Sequence, residues 1–222
     1  MTPDFALWYH GFVQQGFSEN LRFSLGMISV AIVLANHCYY VTLTCLKRIR
    51  PHAFTLIVYF LVTISVALGM YGEGDIAAGL RMGIPAPLYL VMLVLTIRRG
   101  VEYIKPIDAV MLGLSLLVMP LWWLTESPRA AILFLAVVEG LGILPGLRKA
   151  YNLPWEDSLL SPLISATAML LALIAVKDPF ASWATALYLA YWTLLCSLLA
   201  ATIAWRRHSK LKDQLMNRSG SA

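Results

Sequence analysis

Seven long apolar stretches, each followed by a short polar link, constrain this chain more than any other feature. They lie at about residues 23–46, 53–71, 76–97, 106–124, 129–147, 159–176 and 181–205. A helix crossing a bilayer needs roughly 20 apolar residues, because about 30 Å of hydrocarbon must be spanned at 1.5 Å per residue. Each stretch is near that length. The 222 residues are 59% hydrophobic and only 13% charged, too little polar surface for seven such segments to hide inside a soluble domain. The runs are continuous rather than alternating, which excludes a β-barrel. The expected fold class is an all-α membrane protein with seven transmembrane helices.

The links set the orientation. Lys47, Arg48, Arg50, Arg98, Arg99, Lys105, Arg148, Lys149, Arg206, Arg207, Lys210, Lys212 and Arg218 would fall on one side, and only Arg22, Arg129 and Lys177 on the other. The positive-inside rule then puts the amino terminus outside and the carboxy terminus in the cytoplasm, and the composition suggests a cell inner (plasma) membrane of bacterial type. The net charge of +5 is spent on topology, so no nucleic-acid partner is expected. The expected partners are a small-molecule solute and membrane lipids, with the chain a monomer or homodimer. Cys38, Cys45 and Cys196 lie inside apolar stretches, which argues against a disulfide framework or a metal site. Residues 1–22 lack the basic start and unbroken apolar core of a signal peptide. Phe5, Trp8, Phe12 and Val13 at helical spacing predict an amphipathic segment lying at the outer interface. His10 reads as an interface residue.

Two regions repeat a pattern. Residues 138–161, VEGLGILPGLRKAYNLPWEDSLLS, run from an apolar helix through a basic pair and a proline to a hydroxyl residue opening the next apolar run. Residues 36–68 do the same. Leu43, Leu46, Lys47 and Arg48 align with Leu144, Leu147, Arg148 and Lys149 at one offset. After a two-residue adjustment, Pro51, Thr55, Leu56 and Leu68 align with Pro154, Ser158, Leu159 and Leu171. If helix 1 and helix 5 begin equivalent units, four crossings separate them and both units point the same way. A three-helix unit repeats in parallel only when an extra helix returns the chain, and helix 4 is that helix. The expected organisation is a parallel 3+1+3: first repeat 23–97, linker helix 98–128, second repeat 129–205, and a cytoplasmic basic tail 206–222.

This pattern resembles the SWEET and PQ-loop transporter superfamily. Its motif is an apolar helix ending in Pro-Gln, followed by basic residues and a serine that opens the next helix. Leu144-Pro145-Gly146-Leu147-Arg148-Lys149 through Ser158 is similar, with Gly146 in place of the usual glutamine and Thr44-Cys45 at that position in the first repeat. The segments YIKPIDAV, LWWLTESP and LPGLRKAY also resemble a group of bacterial seven-helix membrane proteins of unassigned activity. The resemblance implies parallel three-helix repeats, an outside amino terminus and transport by alternating access.

Ionisable groups inside the apolar slab cost about 2.5–3.5 kcal/mol each at its centre and mark functional sites by default. Arg81 lies six residues beyond Asp75, roughly 9 Å inward at 1.5 Å per residue. Pro85 and Pro87 follow it and should kink or break the helix. A guanidinium beside a broken helix suits a carboxylate or phosphate. A structural ion pair of Arg81 with Glu139 or Asp75 is the competing reading. Glu139 stands near mid-depth of helix 5 and could carry a coupled proton or remain paired. Asn36 and His37 lie at the corresponding level of helix 1, as substrate contacts or packing groups. Trp122, Trp123 and Trp183 read as interface anchors. Tyr188, Tyr191 and Trp192 recur at helical spacing, to line a cavity or pack between helices. Asp108 reads as a cap or interface residue.

No HExxH, GxSxG, DDxxD-type pair or Walker loop occurs, and helix 7 has no lysine for a retinal Schiff base. No catalytic residue, metal or cofactor is therefore expected. The reading is a non-enzymatic transporter of a small anionic or zwitterionic solute, with proton coupling left open. Arg81, Asn36, His37, Glu139, Tyr191 and Trp192 would bind the solute, and Pro85, Pro87, Pro145 and Gly146 would act as gating or hinge residues. The alternatives are a membrane-embedded enzyme on a lipid or prenyl substrate with Glu139 as general acid, and a non-transporting receptor or assembly subunit.

Overall fold

The computed structural model describes residues 19–72, 74, 76–99, 104–124, 127–176, 178–180 and 182–219. Residues 1–18 of the interface segment expected at 1–22 lie outside them, with Asp75, Lys177 and the side chains of Trp122 and Trp123, while residues 19–22 belong to the first helix. The described chain is all-helical, with no strand. In order come α1 (Glu19–Cys45), α2 (Ala53–Gly72), α3 (Ile76–Gly83), α4 (Ala86–Arg98), α5 (Pro106–Trp123), α6 (Pro128–Asn152), a 3₁₀ turn (Pro154–Glu156), α7 (Leu160–Ala175) and α8 (Trp183–Ser219). With α3 and α4 taken as one interrupted unit, seven helical units coincide with the seven apolar stretches. Among the described residues four helices are long and apolar enough to cross a membrane: Glu19–Cys45, Ala53–Gly72, Gly79–Arg98 and Trp183–Gln214. Leu160–Ala175 is apolar but shorter. Leu187, Leu194 and Leu198 of α8 point outward and are exposed, as lipid-facing residues would be.

Local chemistry explains the helix ends. α1 stops in a Schellman arrangement, with Lys47 N–H bonded to Thr44 O at 3.1 Å and Arg48 N–H to Leu43 O at 3.0 Å. Lys47 takes the left-handed conformation, φ 59°, where glycine is usual. α5 opens with Asp108 accepting from Lys105 N–H at 2.8 Å, the side-chain half of a capping box. α6 is capped by Ser127. Ser158 Oγ accepts from Ser161 N–H at 3.2 Å and so opens α7.

The unit α3–α4 breaks where proline removes a donor. Ile84 N–H still reaches Leu80 O at 2.9 Å, and Tyr89 N–H bonds Pro85 O at 3.0 Å. Pro85 cannot donate to Arg81 O, so the ladder is interrupted there. Pro87 falls in the first turn of α4, where its missing N–H leaves no bond unmade. The break therefore belongs to Gly83–Pro85, and Pro87, which is exposed, contributes little.

Two expected boundaries move. Helix 5 is expected over about 129–147, yet α6 runs through Pro145 and on to Asn152. The proline removes one bond, while Arg148 and Lys149 are anchored to neighbouring elements. The basic tail expected from 206 is instead a continuation of α8 to Ser219. Arg206 stacks 4.1 Å over the Tyr151 ring and Arg207 donates to Asp157 O at 2.7 Å. Those contacts hold the extra turns.

α1 packs on α7, and α2 on α6. α2 also packs on α3 and α4, α7 on α8, α6 on α8, and α1 on α3 and α4, while α5 lies mainly on α6. α2 is the central helix, burying Leu56, Val58, Val62, Val66 and Met70. Polar bonds tie the apolar faces: Ser29 Oγ to Ala168 O at 2.8 Å and Arg22 to Val176 O at 3.0 Å join α1 to the α7 end. Thr55 Oγ1 to Gly142 O at 3.0 Å joins α2 to α6. A Cβ on Gly142 would sit 2.5 Å from Val58 Cγ1. That crossing needs glycine.

Candidate functional site

A cavity of about 120 Å³ lies between the helices at the depth of the α3–α4 break. Asn36, His37, Arg81, Pro85, Glu139 and Trp192 all line it. Residues from α1, α3, α6 and α8 and from the break after α3, far apart in sequence, are thus brought to one space.

Arg81 ends α3 and is 1% exposed. Its Nη1 faces the sulfur atoms of Met169 on α7 and Met82. Glu139, also 1% exposed, accepts a hydrogen bond from the Tyr188 hydroxyl of α8. Arg81 lies within electrostatic reach of both Glu139 and Tyr188. The expected ion pairing with Asp75 falls outside the described residues. Here the acid is fixed by a phenol, and the guanidinium lies against soft sulfur rather than clamped to the carboxylate.

Asn36 is 3% exposed, and its Nδ2 donates to Ser161 O at 3.1 Å and Ser165 Oγ at 2.8 Å. Its Oδ1 is buried with no hydrogen-bond partner among the described residues. The His37 Nδ1 lies 2.8 Å from Val33 O. A carbonyl only accepts, so Nδ1 carries a hydrogen and donates it, which leaves Nε2 as the acceptor whenever the ring is neutral. The His37 ring meets Tyr89 edge-on at 4.9 Å. Tyr59 lies 5.5 Å from Tyr89 and 5.5 Å from Trp192. The cavity therefore has an aromatic wall formed by Tyr59, Tyr89 and Trp192.

Tyr191 is not part of it. It lines an apolar outer groove with Leu144 and Leu147, apart from the other residues expected to bind the solute. One residue is 100° of helix turn, and Tyr191 is turned away while Tyr188 and Trp192, four apart, share the inner face. Of the expected hinge residues, Pro85 and Gly146 border the cavity, Pro145 is buried nearby, and Pro87 faces outward. Sequence reasoning missed Tyr89, Ser165 and Met169, and it noted Tyr59 among the aromatic residues without assigning it to the site. Tyr59 is three residues after Leu56 and four before Thr63, on the buried stripe of α2, which is the one signal that pointed to it.

The cavity extends toward the basic end, where Asp157 lines it. Asp157 Oδ1 accepts from the Tyr40 hydroxyl at 2.9 Å and from Ser158 N–H at 2.8 Å. Burial pushes the Asp157 carboxyl above the usual carboxylate range, against the opposing pull of Lys149 and the Tyr40 bond. Lys149 donates to Arg50 O and stands 3.6 Å from Glu156. Asp108, 1% exposed, accepts from Arg148 and lies 3.4 Å from His52 Nε2. Its role thus exceeds the cap read from the sequence. Among the described residues no group of three His, Cys, Asp or Glu side chains could hold a metal ion.

No protein-family model, curated protein or solved structure matches the chain.

Proposed function

We propose that this protein is a non-enzymatic membrane transporter of a small anionic or zwitterionic solute, working by alternating access between two three-helix repeats in the manner of the SWEET and PQ-loop superfamily. The observation that carries the proposal is the central cavity. Arg81, Glu139 and the unpartnered Asn36 Oδ1 meet there, beside a helix break and against an aromatic wall. Burying two ionisable groups in an apolar bundle costs several kcal/mol, which scaffolding does not require. A cavity of about 120 Å³ suits a small organic acid or amino acid, admitted as the walls part.

The packing supports the repeat. When α1 is set against α6, the contact of α1 with α7 corresponds to that of α6 with α2. Likewise α2 on the α3–α4 unit corresponds to α7 on α8, and α1 on that unit to α6 on α8. α5 alone lacks a counterpart. Tyr89 and Trp192, which flank Tyr59 at the same distance, differ by the same sequence offset as Pro51 and Pro154. In this reading all seven units cross the inner membrane, amino terminus outside and carboxy terminus in the cytoplasm.

The roles follow from the geometry. The planar fork of Arg81 binds a carboxylate in a bidentate way. Asn36 Oδ1 accepts from an ammonium or hydroxyl of the same solute. Glu139, held by Tyr188, balances the buried charge and is placed to carry a proton. The break at Gly83–Pro85 lets α3, which bears Arg81, tilt against α4, and Gly146 gives α6 the matching freedom.

Uptake of small carboxylates and amino acids into vesicles containing the purified chain tests this. Arg81→Ala should lower uptake about 10–100-fold, the value of one charge-assisted bond pair, while the protein still melts cooperatively. Lysine at 81 should rescue poorly. Full uptake by Arg81→Ala would overturn the assignment. A melting temperature lowered by Arg81→Ala and restored by adding Glu139→Gln would instead make the pair structural.

A further inference from the structure

A second cavity, of about 400 Å³, opens at the basic end between the α1–α2 link and the ends of α4 and α6. It shares only Pro51, His52 and Lys149 with the central one. Lys47, Arg50, Arg98 and Arg99 line it as well, and Glu156 is the one acid among its described lining residues. Glu156 already stands 3.6 Å from Lys149. The lining includes Ala53, the first residue of α2, so the positive end of that 20-residue helix borders the space.

Two donors inside it point to a ligand. The Thr96 hydroxyl is 8% exposed and has no hydrogen-bond partner among the described residues. The Arg99 Nη2 donates to Cys45 O at 2.7 Å, while its Nη1 is buried and likewise without a partner. Buried donors are normally satisfied, since leaving them unpaired destabilises the fold. A group that satisfies an O–H and a guanidinium N–H together, amid four cations and a helix amino terminus, must be anionic and rich in acceptor oxygens. A phosphate meets both conditions. At the rim the sequence neighbours of Lys47 and Arg98, Leu46 and Ile97, are apolar and more than half exposed, positioned for acyl chains beside a bound headgroup.

We propose that this basic cavity is a phosphate-group site, distinct from the central cavity, which takes the headgroup of an anionic phospholipid or a soluble phosphate through Arg99 and Thr96. The proposal does not depend on the transport reading. Thermal unfolding of the purified full chain in detergent tests it, with phosphatidylglycerol or phosphatidylcholine added to the micelles, or with inorganic phosphate against chloride at equal ionic strength. Wild type should be stabilised saturably by phosphatidylglycerol beyond phosphatidylcholine, or by phosphate beyond chloride, and which of these acts names the source. Arg99→Gln should raise the half-saturating concentration about tenfold and Thr96→Val about threefold. Without ligand, Thr96→Val should melt no lower than wild type, because only an unpartnered hydroxyl is lost; it carries the test if Arg99→Gln fails to fold. Stabilisation by neither ligand, or equal half-saturation in wild type and Thr96→Val, overturns the site.

Discussion

In the first half of the chain the apolar helix ends at a left-handed lysine, while in the second half the residues aligned with it stay helical for another turn. Lys47 and Arg148 occupy corresponding places, each followed by a second basic residue and a proline. Lys47 sits at φ 59° and closes a Schellman stop. Arg148 is inside α6, bonded to Asp108, and Lys149 beside it holds Arg50 O. The difference teaches that the local motif sets where a helix may end, and neighbours decide whether it does. Asp108 belongs to α5, and an anchor from that helix lets two segments of similar local sequence end differently.

The comparison can be broken most severely at Asp108. Asp108→Ala should strip Arg148 of its buried counter-ion and destabilise by about 3 kcal/mol, the lower end for a broken buried pair because Arg148 is partly exposed. A melting curve would read it as a large drop, with the 148–152 turn becoming protease-sensitive. An unchanged melting temperature would mean that α6 extends for local reasons alone.

The two inter-half crossings come next. Gly142→Ala should cost about 1–3 kcal/mol through overpacking against Val58. The aligned Val41→Ala should cost far less, since Val41 is only partly buried. Equal effects, measured by chemical or thermal unfolding, would remove the asymmetry.

A smaller change sharpens the stop itself. Lys47→Gly should stabilise by up to about 1 kcal/mol by relieving the left-handed strain. The aligned Arg148→Gly should destabilise, because glycine inside a helix costs about 1 kcal/mol even before its ion pair is lost. If both shifts had one sign, the two positions would be conformationally alike.

The smallest effect is one of pH. His52, in the α1–α2 link, is held below its ordinary value near 6.5, chiefly by burial, with Asp108 opposing. The unfolded chain then binds the proton more readily, so stability should fall on acidification from pH 6.5 to the lower folded value and level off below it. His52→Gln should flatten that part of the profile. A rise in stability on acidification, traced to His52, would contradict the assignment.

By itself the sequence determined the all-helical class, the seven apolar units and the break before Pro85. These follow from hydrophobic length and from a missing N–H, which act locally and leave a trace in composition and order. It also singled out Arg81, Glu139, Asn36 and His37, because a polar side chain in an apolar run is visible wherever it lies. Only the tertiary structure decided which of Tyr188 and Tyr191 meets Glu139. Adjacent turns of α8 look alike until α6 selects a face. The same holds for Asp108: as a residue in a first turn it reads as a cap, and only the packing of α5 on α6 brings Arg148 and His52 to it. The extra turn of α6 and the continuation of α8 past Trp205 were likewise hidden. Each is held by side chains from elements distant in sequence, and a helix end stabilised by such contacts carries no signal of its own.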